Sequence, residues 1–205
     1  MTKYFFVPEL KVRLTLLDIR KLKPFAEEIL QNLPEERYQK AMSYRREEDR
    51  LRSIGSSFLI MQTIGNQKLQ YGEYGKPFVI GKNFNVSHSG NYVVLAESQN
   101  PVGVDIEEIV SEYQSEIAEV SLTQREKIWA GESPLRFFIL WTRKESLLKC
   151  AGTGFFIEPN QIDVLSDSVF FMEKFYKFSS VIFDNYVISI SNMIKKINIP
   201  RCAIT

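Results

Sequence analysis

Apolar residues recur at every second position over 4–17, where Tyr4 and Phe6 and then Val12, Leu14 and Leu16 alternate with other residues, so this stretch predicts one or two short strands. The period changes after Asp18. Leu22, Phe25, Ile29 and Leu33 follow helical spacing, and Asp18 stands where its carboxylate can cap that helix. Pro34 opens a second, longer helix with mixed charges from Arg37 to Arg52 and an apolar second half at Ile54, Phe58, Met61 and Ile64, stopped by Gly65-Asn66. One end of that helix is therefore wet and partly basic. A loop with Tyr74-Gly75-Lys76-Pro77 leads into strands at about 78–87 and 91–97, joined by a tight turn at Ser89-Gly90-Asn91. Asn100-Pro101 breaks the chain near its midpoint, and Val102 to Ile106 reads as another strand. Two helices follow, one from Thr123 and one with Pro134 in its first turn that ends before Gly152, and 156–192 reads as three strands rich in Phe, Val and Ile. Strands and helices come in blocks without strict alternation, which predicts an α+β fold.

The chain has 205 residues, enough for one large domain or two small lobes sharing a core. With 44% hydrophobic and 13% aromatic residues, and only 10 Gly and 8 Pro, it is neither collagen-like nor disordered. Lys and Arg number 26 against 25 Asp and Glu, so no global field steers the chain to nucleic acid or an anionic membrane, and any basic site must be local. The longest apolar runs, Tyr92 to Ala96 and Phe137 to Trp141, fall far short of the roughly 18 residues that cross a bilayer. A soluble, unexported protein is expected. Cys150 and Cys202 allow one disulfide at most and lack metal-ligand spacing, so a reducing cytoplasm fits and a cysteine zinc site does not.

Several clusters carry candidate chemistry. In Val102-Gly103-Val104-Asp105-Ile106-Glu107 the apolar residues share one strand face and the two carboxylates the other, with their Cα atoms roughly 6.5 Å apart. Such a pair suits a hard divalent cation, although taken alone a half-buried strand with a solvated acidic face is the plainer reading. Gly103 marks a close approach of backbone or ligand. The single histidine, His88, lies between Ser87 and Ser89 before Gly90, a grouping that suits a phosphate or an ordinary strand end. No nucleophile elbow accompanies it, so a Ser-His-Asp triad is excluded. On the helix that ends at Cys150, Glu145 and Lys149 stand four apart on the face of Trp141, either as a surface ion pair or, because the helix is largely apolar, as buried charges that need a partner. Thr123 followed by Glu126 is a capping box. Lys76, held between Gly75 and Pro77, and Arg45, Arg46 and Arg52 offer further cations.

In chain order, Tyr-Gly-Lys-Pro, Phe84-Asn-Val-Ser-His-Ser-Gly, Val-Gly-Val-Asp-Ile-Glu and Trp-Thr-Arg-Lys-Glu-Ser-Leu-Leu-Lys with Gly152-x-Gly154 resemble the 4′-phosphopantetheinyl transferase superfamily, surfactin-synthetase-activating type, over about residues 74–154. The resemblance extends more weakly through Arg46-Glu-Glu-Asp49 and Arg52. It implies a pseudo-dimer of two similar α+β lobes, residues 1–99 on the coenzyme A side and 100–205 with the metal site, the seam lying at Asn100-Pro101. It implies a monomeric, cytoplasmic enzyme that moves the phosphopantetheine arm of coenzyme A to a serine of an apo acyl or peptidyl carrier protein and releases 3′,5′-ADP.

By position, Asp105, Glu107 and Glu145 would hold Mg²⁺ or Mn²⁺, and Lys144 and Lys149 the pyrophosphate, with Lys149 a candidate proton donor to the leaving phosphate. Ser87, His88 and Ser89 would face the phosphates, Lys76 and Arg52 the 3′-phosphate, and Glu126 or Glu145 would serve as base. The lysines that the family carries after the Pro34-type helix start are here Glu36 and Gln39, with Lys40 nearby. The resemblance also implies a C-terminal strand and tail longer than this chain's, on which carrier recognition would depend. Two rivals stand beside this: a non-catalytic protein binding coenzyme A or a carrier, and a Mg²⁺-dependent phosphohydrolase using the same carboxylates.

Overall fold

The computed structural model describes residues 1–65, 67–111 and 115–194; Asn66 of the expected helix stop and Cys202 lie outside them. The alternating N-terminal stretch forms two antiparallel strands, β1 (Thr2–Val7) and β2 (Val12–Asp18). Asp18 caps the helix after β2, its side chain accepting from the Arg20 backbone N–H at 3.0 Å. The single helix expected here is broken into α1 (Ile19–Leu22), a 3₁₀ turn at 23–25 containing Pro24, and α2 (Ala26–Gln31). The helix expected from Pro34 is likewise two, α3 (Glu35–Met42) and α4 (Glu47–Ile64). Arg46 is extended at the break, and Glu47, Glu48 and Asp49 fill the first turn of α4, where carboxylates favour a new helix start.

A small hairpin, β3 (Gln70–Tyr71) and β4 (Pro77–Phe78), precedes β5 (Asn83–Ser89) and β6 (Tyr92–Ser98). The strand expected over 78–87 is thus interrupted, because Gly81 turns the backbone at φ 82°. After β7 (Val102–Glu108) comes a helix that the pattern does not foretell, α5 (Ser115–Ser121), then α6 (Gln124–Ala130) and α7 (Pro134–Ala151). The three C-terminal strands are β8 (Ser168–Phe171), β9 (Lys174–Phe183) and β10 (Tyr186–Ile194).

The described strands make two four-stranded antiparallel sheets, ordered β1-β2-β6-β5 and β7-β10-β9-β8, beside the small hairpin. The mixed α+β class is as expected. One apolar core lies between the sheets, built from Val12, Leu14, Val94 and Ala96 on one side and Val104, Ile106, Ile188 and Ile190 on the other. The outer face of the first sheet, with Leu17, Val93 and Leu95, is covered by α1 and α4. The outer face of the second packs on α7 through Leu140, Leu147 and Val187. This layering explains the run Tyr92 to Ala96: β6 is buried on both faces, so neither set of alternate residues needs to be polar. No described helix is long and apolar enough to cross a membrane. Cys150 is a free, buried thiol that donates to the Pro101 carbonyl at 3.2 Å.

Candidate active site

The edge strands of the two sheets, β5 and β7, lie side by side, and β5 turns its alternate polar residues onto β7. Asn85 Oδ1 accepts from the Val104 N–H at 2.9 Å, Ser87 Oγ donates to Asp105 Oδ1 at 2.7 Å, and Ser89 Oγ donates to Glu107 Oε2 at 2.8 Å. On the outer side of β7, α7 comes so close that a Cβ placed on Gly103 would lie 2.0 Å from the Ser146 carbonyl oxygen and 2.5 Å from the Cys150 nitrogen. That contact brings Trp141, Glu145 and Lys149, one face of α7, to the carboxylates of β7.

These residues line one cavity of about 400 Å³. Asp105 is 2% exposed; its Oδ1 also accepts from Lys149 Nζ at 2.5 Å, while its Oδ2 is buried without a hydrogen-bond partner. Lys149 donates to Ser87 Oγ at 3.0 Å as well. Burial, and then the charge of Asp105, pushes the Glu107 carboxyl up to about 7, with hydrogen bonds from Ser89 and Trp141 opposing. Glu145 is pushed to about 7 by burial first and Asp105 second, against the pull of Lys149. Burial works against the Lys149 ammonium, but the carboxylates of Asp105, Glu145 and Glu107 outweigh it and hold the amine more basic than usual. Burial lowers the His88 pKa, reinforced by the positive charges of Arg52 and Lys149, so the imidazole in this cavity is neutral near pH 7.

The first half of the chain contributes cations that the sequence motifs did not single out. Arg37 and Lys40, one helical turn apart on α3, line the same cavity beside Tyr44, Ser53, Ser56 and Tyr71. Arg37 is 6% exposed, and its Nε and the Ser56 hydroxyl are buried without partners. Lys40 has its pKa lowered by burial and then by Arg37. A buried guanidinium with an unspent donor and a lysine one turn away mark a place for an anion. Glu36 and Gln39, the positions to which the family pattern drew attention, precede them by one residue each. The spacing Arg37-x-x-Lys40 was the signal to be found.

Other expected site residues lie elsewhere. Lys144 and Glu126 form a buried ion pair at 2.7 Å, 1% and 0% exposed, outside this cavity. Lys144 also donates to the Pro159 carbonyl at 2.8 Å and to that of Ile162, and Glu126 accepts from the Thr123 and Val164 N–H groups at 2.8 Å each. The capping box is therefore real, and the pair ties α6 and the 159–164 segment to α7. Arg52 donates to the Gly90 carbonyl at 2.7 Å and to Asp49 at 2.5 Å. Lys76 donates to the Cys150 carbonyl at 3.1 Å, has its pKa lowered by burial, and opens on an adjoining cavity of about 210 Å³ between the 74–77 loop and Gly152.

Residues 101–191, which include β7, α7 and the second sheet, match the model of the 4′-phosphopantetheinyl transferase superfamily. The resemblance to that superfamily is borne out. The chain is 40% identical over 143 residues to the 4′-phosphopantetheinyl transferase gsp of Aneurinibacillus migulanus, covering 63% of this chain and 60% of that protein. It is 31% identical over 139 residues to the 4′-phosphopantetheinyl transferase Sfp of Bacillus subtilis (strain 168), covering 59% and 60%. A more distant match is the L-aminoadipate-semialdehyde dehydrogenase-phosphopantetheinyl transferase of Xenopus laevis, 33% identical over 133 residues, covering 54% and 44%. The chain thus spans about three fifths of the length of the first two phosphopantetheinyl transferases it matches.

The residues present suit a divalent ion. Among the described residues no three Asp, Glu, His or Cys side chains are drawn together as a metal-ligand group, and Lys149 takes up one oxygen of Asp105. Yet the buried Asp105 and Glu145 and the half-buried Glu107 line the cavity beside Lys149, and Asp105 keeps an unpartnered buried oxygen. An all-oxygen set of this kind fits Mg²⁺ or Mn²⁺ and not zinc.

Proposed function

We propose that the chain is a 4′-phosphopantetheinyl transferase, moving the phosphopantetheine arm of coenzyme A to a serine of an apo acyl or peptidyl carrier protein. What supports this most is that Asp105, Glu107, Glu145 and Lys149 from the segment matching the superfamily share one cavity with Arg37, Lys40 and His88 from the other half. Residues 1–99 and 100–205 would form two lobes, each with one sheet and one long helix, and a monomer in the cytoplasm would hold a complete site.

The carrier serine oxygen attacks the phosphorus nearer the pantetheine, a P–O bond of the diphosphate bridge breaks, 3′,5′-ADP leaves, and the serine proton passes to a base. Asp105, Glu107 and Glu145 would hold Mg²⁺ or Mn²⁺, which when bound neutralises charge on the diphosphate. Lys149, kept protonated by its carboxylate neighbours, offers a cation to the diphosphate and a proton to the leaving oxygen. Glu145 lines the cavity, whereas Glu126 is spent on Lys144 and two backbone N–H groups, which favours Glu145 as the base, directly or through a water. Neutral His88 offers a hydrogen bond without a second charge, while the expected Ser87 contact gives way to its hydrogen bonds with Asp105 and Lys149. Arg37 and Lys40, with Arg52 and Lys76 nearby, suit the phosphates at the nucleotide end. Lys144 and Glu126 act by holding α7 in place.

Incubating the protein with coenzyme A, Mg²⁺ and a panel of apo carrier proteins, then weighing the carriers by mass spectrometry, tests this. The expected result is one phosphopantetheine added to at least one carrier, lost with Asp105→Asn. Coenzyme A binding with no mass gain on any carrier indicates a binding protein, and phosphopantetheine released without a carrier indicates a phosphohydrolase; either outcome overturns the proposal.

A further inference from the structure

Ser89 was expected to meet a phosphate, but its hydroxyl is fully engaged within the protein. It accepts from the Glu108 backbone N–H at 3.2 Å and lies 2.8 Å from Glu107 Oε2. Because the N–H donates into the oxygen, the one hydroxyl proton is directed to the carboxylate, and the side chain has no further donor to give a ligand. Ser89 belongs to one sheet and Glu107 to the other, 18 residues on, so the contact is only as good as the docking of the β5–β6 turn onto β7 and β10.

That docking is tight. Arg52 of α4 holds the Gly90 carbonyl at 2.7 Å, and the Asn91 N–H donates to the Tyr186 hydroxyl at 3.1 Å. Gly90, at φ 50°, passes so close that an added Cβ would lie 2.2 Å from the Tyr186 hydroxyl and 2.5 Å from Glu108 Oε2. The turn is clamped from both sides, and Ser89 is carried on it.

The geometry points to Ser89 as a positioning residue: through its hydroxyl the first sheet fixes the orientation of Glu107 for the divalent ion. This rests on the proposed role of Asp105, Glu107 and Glu145 and assigns Ser89 to the carboxylate in place of the diphosphate. Partners of this kind commonly change metal affinity about 10–100-fold when removed.

The test is titration of Mn²⁺, followed by electron paramagnetic resonance with and without saturating coenzyme A, on the unsubstituted protein, Ser89→Ala and Ser89→Thr, with the melting temperature of each recorded free of metal. Ser89→Ala is expected to bind Mn²⁺ about 10–100-fold more weakly, and Ser89→Thr, which keeps the hydroxyl, to stay within about threefold of the parent. A merely structural serine would lower the melting temperature in Ser89→Ala and leave Mn²⁺ affinity unchanged, which overturns the assignment, as does equal weakening in both variants. Failure of the unsubstituted protein to bind Mn²⁺ at all overturns the metal site itself and this inference with it.

Discussion

Replacing Gly103 with alanine tests the contact on which the site is built. The new Cβ would stand 2.0 Å from the Ser146 carbonyl oxygen, where ordinary contact begins at 3.4 Å, so β7 and α7 must part by about 1.4 Å along that line (3.4 − 2.0). The obstructing Ser146 oxygen and Cys150 nitrogen are helix main chain, so no side-chain rotation relieves them. Overpacking of this kind costs about 1–3 kcal/mol and sometimes more, and a backbone clash belongs at the upper end. At about 2–4 °C per kcal/mol for a chain of this size, the melting temperature should fall by about 6–12 °C. Because Ser146 lies between Glu145 and Lys149 on α7, displacing it also moves both from Asp105, and a misplacement near 1 Å lowers a rate about 100-fold. Thermal unfolding by circular dichroism and carrier modification by mass spectrometry measure the two effects. Gly72→Ala, whose Cβ would meet only the Lys76 carbonyl at 3.7 Å, serves as the control and should lie within about 0.5 kcal/mol of the parent. If Gly103→Ala melts within 2 °C of the parent, roughly, and keeps its activity, the close packing of α7 on β7 does not set the site.

Glu126→Ala should lose about 3–5 kcal/mol in urea unfolding, because Lys144 is left charged and buried; a loss below about 1 kcal/mol refutes the buried pair. Arg37→Ala should weaken coenzyme A binding about 10–100-fold by calorimetry and flatten its salt dependence, and unchanged affinity removes Arg37 from the anion site. His88 makes stability pH-dependent on the acid side. Its folded pKa is depressed by burial, Arg52 and Lys149, so below about 6.5 the unfolded chain binds the proton first and the His88 contribution falls as pH falls. Glu107 and Glu145 act with the opposite sign, their raised folded values favouring the folded chain as pH falls through about 7. His88→Gln should lose the His88 contribution in urea unfolding compared between pH 7.5 and 5.5, roughly; an identical slope in both proteins shows that His88 is not the group responsible.

Local chemistry alone determined much of this protein. Period-two alternation put Asp105 and Glu107 on one face of β7, helical spacing put Trp141, Glu145 and Lys149 on one face of α7, and Thr123 with Glu126 made the capping box, since each depends only on residues a few positions apart. Gly103 signalled a close approach but could not name its partner, which is the backbone of α7. Helix breaks at 23–25 and 43–46 were obscured because a charged, apolar-spaced run reads the same with or without an interruption.

Tertiary structure decided the rest. Asn85, Ser87 and Ser89 meet their partners 18 or 19 residues away only because the edges of two separate sheets abut, and Lys149 reaches Asp105 across 44 positions. Which cations face the cavity was settled the same way: Arg37 and Lys40 do, while Lys144, beside Glu145 in sequence but about 100° round the helix, turns to Glu126. A sequence records periodicity along each element, but the rotation and pairing of elements come from burying apolar faces against partners far along the chain, and those long-range packings chose the site.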